Sequence, residues 1–180
     1  MSRHFIVALT CGLALISGCA AKTSGHREAP SNEAVMALLG TVRALHHEAD
    51  VFEGAGDFEH AGAAVRRILT LEFPRTMAEG EDLRADAYGR LAEIALRRAT
   101  PDEALSIADT GLRDTHRESV LRGRLMMVRG QSLGALSDRA HAASDEVGAR
   151  RLREQAIEAL EASIALNGRL LQRLTDGGAP

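Results

Sequence analysis

Cysteine is almost missing from this chain: of 180 residues only Cys11 and Cys19 carry a thiol, and both lie in the first nineteen positions. Past that point no disulfide and no thiolate metal site can form, so packing alone must stabilise the fold. Tryptophan is absent, tyrosine occurs once, and aromatics make up 3% of the chain. Lysine is reduced to Lys22, the other basic residues being arginine, which reflects genome composition before function. The net charge of −3 is spread without blocks of one sign, which argues against nucleic acid or an anionic lipid surface as the partner. No glycine-rich phosphate loop is present. No stretch alternates with period two for long enough to make a strand. What remains is an ordinary apolar share, 45%, much of it alanine and leucine, a composition suited to close-packed helices. The expected fold class is all-α.

The front of the chain is different in kind. Met1-Ser2-Arg3-His4 is followed by the apolar run Phe5 to Ile16 and then by Ser17-Gly18-Cys19. A short basic start, an apolar core of secretory length and small residues before a cut are the marks of a bacterial export signal. Ending it on Cys after Ile16-Ser17-Gly18 resembles the lipobox of bacterial lipoproteins. That resemblance implies removal of residues 1–18 and lipid modification of Cys19 as the first mature residue, at about 0.8 kcal/mol per buried CH₂. It further implies, in a Gram-negative cell, that Ala20 rather than Asp directs the protein to the outer membrane, facing the periplasm. The competing readings are an uncleaved span, since Phe5 to Ala21 holds no charge, and a plain secretory signal. Cys11 follows Ala8-Leu9-Thr10, a poor lipobox that leaves the core too short. Residues 19–31 read as a flexible tether with an r.m.s. span of roughly 20 Å. Residues 32–176 are one domain's worth of chain, and 177–180 a disordered tail.

From Asn32 the 3.6 period persists. Val35, Leu38, Leu39, Val42, Leu45, Ala49 and Phe52 line one face, with Asn32 as cap and Gly54 and Gly56 closing the run. Asp57 caps a second helix through Ala61, Val65, Ile68 and Leu69, stopped by Pro74. A third shows Leu83, Ala87, Leu91, Ala95 and Arg98. Thr100-Pro101-Asp102-Glu103 and Thr115-His116-Arg117-Glu118 both have the form of capping boxes and bracket a fourth helix.

These spacings resemble tetratricopeptide repeats, whose unit of about 34 residues is a pair of antiparallel helices. Tyr88-x2-Leu91-Ala92-x2-Ala95-x8-Ala104-x3-Ala108-x2-Gly111 keeps the family's offsets, and Leu45-x2-Glu48-Ala49-x2-Phe52-x8-Ala61-x3-Val65-x2-Ile68 departs at Glu48 and Ile68. A third unit ends on Ala156 to Gly168. There Leu133 to Ala156 takes 23 positions where Ala95 to Ala104 takes nine. The excess of fourteen is two heptads, so two added turns on each helix leave both apolar faces unrotated. The expected architecture is therefore a short stack of antiparallel hairpins, a TPR-like solenoid, with an elongated last hairpin whose tip lies near His141 to Asp145; the rival readings are a disordered insertion there and a simple helical bundle with accidental spacing. Leu170, Leu171 and Leu174 are expected to cap the stack.

No constellation points to an enzyme. Ser106, Ser119, Ser132 and Ser137 sit in helical sequence without a strained turn, and Glu79, Glu81 and Asp82 are carboxylates expected in a loop. His46 and Asp50 share a helical face, yet a third ligand such as His60 would have to come from the next helix, so neither metal nor cofactor is assigned. Gly123, Gly130 and Gly134 each weaken a helix and are read as sites of close crossing. In the family the first helix of each pair lines a concave surface that binds protein partners. The resemblance places Arg43, His46, His47, Asp50, Asp86, Arg90, Glu93, Arg97, Arg124, Met127 and Gln131 there. It implies an adaptor or assembly accessory for an envelope protein, with homo-oligomerisation possible. The alternative is a ligand-binding lipoprotein that holds an apolar molecule between helices near Met126, Met127 and Leu133.

Overall fold

The computed structural model describes residues 31–177; the signal, Cys19 and nearly all of the tether lie outside it, as do the last three residues. The described residues form six α-helices and no strand, as the missing period-two pattern requires: α1 (Asn32–Gly54), α2 (Phe58–Leu69), α3 (Glu79–Arg97), α4 (Pro101–Asp114), α5 (Val120–Ala142) and α6 (Glu146–Asp176). Each helix packs on the next along the chain, and α5 also packs on α3. None of the described helices is long and apolar enough to cross a membrane.

Helix starts follow local chemistry, with some exchanges of role. Ser31, not Asn32, caps α1, its Oγ accepting from the Ala34 amide at 3.2 Å. Asp57 caps α2 through the His60 amide as expected, but α2 ends at Leu69, well before Pro74. The Thr115 box is not a helix start. Thr115 ends α4, its hydroxyl donating to Gly111 O at 2.7 Å, and Ser119 caps α5 through the Arg122 amide. Thr100 does precede α4, with Pro101 in the first turn, yet its hydroxyl bonds Ala95 O and Glu103 rather than a helix amide. Glu79, Glu81 and Asp82 lie in the first turn of α3, where carboxylates offset the exposed amides of a helix that has no side-chain cap. Arg98 ends α3 exposed, outside the core face proposed for it.

The core follows the predicted stripes. Val42, Leu45, Ala49, Ala61, Val65 and Ile68 bury together with Ala87 and Leu91, and Ala92, Ala95, Ala104 and Ala108 pack with Leu125 and Val128. Small residues set the helix spacing: a Cβ added at Gly111 would come within 2.6 Å of the Tyr88 Cβ.

The last hairpin is as long as the spacing demanded. Its turn is Ala143-Ser144-Asp145, within the predicted tip, and Asp145 caps α6 through the Gly148 amide. Along the α5–α6 seam, contacts advance by seven on one helix and retreat by seven on the other. Ser163 Oγ donates to Gly123 O at 2.7 Å; a Cβ on Gly130 would come 3.1 Å from Ala156 O; Ser137 Oγ donates to Ala149 O at 2.8 Å. Gly123, Gly130 and Ser137 thus oppose Ser163, Ala156 and Ala149, a two-turn repeat of small residues that brings the backbones together. Crossing accounts for Gly123 and Gly130. It does not account for Gly134, around which nothing lies within 4 Å. Leu170, Leu171 and Leu174 continue α6, as expected, but Leu171 and Leu174 are left exposed and cover nothing among the described residues.

Candidate interaction surface

Along α1, positions 46, 50 and 53 fall on one face, and along α3 so do 86, 90, 93 and 97. Arg90 joins the two helices. Its guanidinium donates to Asp50 Oδ1 (2.5 Å), to Glu53 Oε1 (2.8 and 3.0 Å), and through Nη1 to His46 O (3.0 Å) and His46 Nδ1 (3.1 Å). Arg97 donates to the other oxygen of Glu53. The α1 and α3 backbones do not approach one another closely, so these side chains are what spans the gap. Arg90 and Glu53 are the most enclosed members, with 13% and 9% of their side-chain surface exposed.

The network continues to α5. Arg124 grips Glu93 through both oxygens (2.9 and 2.6 Å) and reaches Asp86 Oδ1 at 2.8 Å. Asp86 is also the neighbour of His46, Nε2 to Oδ2 being 3.3 Å. Because a guanidinium only donates, His46 Nδ1 is the acceptor and its proton sits on Nε2. That proton faces Asp86 off the axis of a hydrogen bond, and Nε2 has no other partner.

Charge states follow from the enclosure. Burial holds the His46 pKa below its ordinary 6.5; Asp86 opposes this, and Arg90 reinforces it. For Arg90 burial works downward, but the bonds to Glu53 and Asp50 outweigh it and the pKa is raised. The Glu93 bonds raise that of Arg124. Neutral His46 therefore sits among fixed charges of both signs.

Seven of the residues proposed from sequence meet in this ribbon: His46, Asp50, Asp86, Arg90, Glu93, Arg97 and Arg124. Arg43, His47 and Gln131 are exposed and make no side-chain hydrogen bond among the described residues, and Met127 sits at the surface. Glu53 was missed, although it continues the His46–Asp50 face by one turn. The ribbon contains no nucleophile beside a base. It ties three helices together.

The remaining histidine of the supposed metal set points elsewhere. His60 Nδ1 bonds Asp57 at 2.7 Å and its ring stacks on Phe52. Of the proposed ligand pocket, Leu133 is packed against Ala156 and Ala159 in the α5–α6 seam.

Comparison with family models, with curated proteins and with solved structures gave no match to this chain.

Proposed function

We propose that this chain is a lipid-anchored envelope lipoprotein whose TPR-like helical hairpins form an adaptor for another protein. Residues 1–18 direct export, Cys19 carries the acyl chains, and the tether keeps the helical part near the outer-membrane surface. The observation that carries the adaptor reading is the face shared by α1, α3 and α5. The first helix of each successive pair contributes to a single ribbon of side chains, from Arg97 and Glu53 through Arg90 and His46 to Asp86, Arg124 and Glu93. A repeat array offers such a face to a partner. Its internal ion pairs fix the relative setting of the helices, leaving Arg43, His47 and Gln131 to make contact. Mixed charge suits a polar segment of a partner rather than a uniformly acidic one.

Detergent extraction of intact envelopes followed by mass spectrometry tests both halves. The expected result is a mature chain starting at a lipid-modified Cys19, with one envelope protein recovered in stoichiometric amount. A free thiol at Cys19 removes the anchor, and a chain recovered alone removes the adaptor.

A further inference from the structure

One side of the last hairpin carries a row of uncovered aliphatic side chains. On α6 these are Ile157 (50% exposed), Ile164 (71%), Leu171 (64%) and Leu174 (74%); on α5 they are Val120 (67%) and Met127 (36%). Ile157, Ile164 and Leu171 are spaced by seven, as are Val120 and Met127. Relative to the seam, the α6 row is displaced by one residue and the α5 row by three residues backward. At about 100° per residue both rotations have the same sense, roughly 100° and 60°. In antiparallel helices, equal sense means the same side. The seam register also sets their heights: Met127 falls level with Ala159 and Val120 level with Leu166. The side chains therefore alternate as Ile157, Met127, Ile164, Val120, Leu171, a continuous ladder about 21 Å long between the two α6 ends.

We infer that a second copy of this chain covers this ladder, the two α6 helices running antiparallel about a two-fold axis near Ile164. A standard interface takes about 800 Å² from each partner, somewhat over half of it apolar, or about 450 Å². Six half-exposed aliphatic side chains at about 70 Å² each supply about 400 Å², so the ladder is close to the size that self-pairing needs. Charge selects the direction. Arg150, Arg153 and Glu154 border the ladder, all near the start of α6. Parallel pairing would set each beside its own copy, which like-charge repulsion penalises, whereas antiparallel pairing carries the two sets to opposite ends. Ile157 then meets Leu171 of the second copy, and Ile164 meets itself.

On α5 the ladder lies beside Arg124 and Gln131 of the adaptor face, but its readout is the oligomeric mass, so it fails separately from the recovery of a partner protein. Sedimentation equilibrium of the full chain in density-matched detergent is expected to give twice the chain mass, falling by half on dilution. Ile164→Glu, at an exposed position, is expected to give the single-chain mass at every concentration with helicity unchanged. A photo-crosslinker at position 164 in intact cells is expected to yield a product of two chains. A wild type that is monomeric throughout overturns the inference, as does a dimer that Ile164→Glu leaves intact. An adduct from position 164 only to a different protein also overturns it and gives the ladder to a heterologous helix.

Discussion

Arg90 shows how one side chain can decide the setting of two helices. It is the main bridge between α1 and α3, and truncating it leaves the enclosed Glu53 carboxylate with Arg97 as its one counter-ion. Arg90→Ala should cost about 2–4 kcal/mol, because a largely enclosed charge loses a partner. Arg90→Met, which keeps the stem packing, should cost less, and chemical denaturation of both variants measures the difference. His46 gives the same network a pH dependence. The folded chain holds its imidazole neutral, below the ordinary 6.5, so unfolding favours proton uptake. Its contribution to stability is complete above that value and is lost as pH falls through the lower folded one. The ¹H–¹⁵N signals of His46 should report a midpoint below 6.5, and His46→Gln should flatten the stability profile between neutral pH and that midpoint. The residues of this ribbon were legible as a helical face, but their pairing was not. A period of 3.6 says which side chains share a side, while the distance between two helices decides whether a guanidinium bridges them.

At the scale of the element, the α5–α6 hairpin makes the sharpest contrast. Gly130 and Gly134 lie in one helix and read alike in sequence, yet a Cβ on Gly130 would sit 2.8 Å from Leu160 Cγ, and one on Gly134 would meet nothing within 4 Å. Gly130→Ala should therefore destabilise by roughly 1–3 kcal/mol through overpacking against a backbone that cannot retreat. Gly134→Ala should stabilise by up to about 1 kcal/mol through helix propensity. Thermal unfolding of the two single variants should move Tm in opposite directions. Helix lengths and the hairpin tip were readable because whole heptads preserve a face, so an insertion of fourteen residues announces itself. The helix ends were harder. Thr115 and Glu118 have the form of a start signal, but the hydroxyl found a closer acceptor in Gly111 O, and Glu118 is drawn to Arg169 and Arg173 of α6. Only the fold brings that pair of arginines within reach.

Across the whole molecule, acid sensitivity should come in two stages. The first is His46, described above. The second belongs to carboxylates whose pKa values the fold lowers: Glu81, held by the His116 and Arg117 amides; Glu118, by Arg169 and Arg173; and Asp57, by the His60 amide. Each contributes stability that is present above its unfolded value, 4.5 for the glutamates and 3.8 for the aspartate, and lost as pH falls through the folded one. Circular dichroism against pH should thus show a stable plateau above neutrality, a shallow decline below 6.5 and a steeper one below 4.5. Glu81→Gln should soften the second stage, since it removes the charge that clasps the α4–α5 junction to α3. The all-α fold was legible from composition and period alone. The uncovered end of the last hairpin was not, because the amphipathic pattern of Leu171 and Leu174 is the same whether or not the continuing helix has neighbours to cover.

The central claim is that the face built from α1, α3 and α5 meets an envelope protein. Photo-crosslinking residues placed in turn at His47 and Gln131 on that face, and at Ser106 and Arg151 away from it, test this most directly in intact cells. The account predicts one and the same protein adduct from both positions on the face and none from the other two. No adduct from His47 or Gln131, or equal adducts from all four positions, would contradict it.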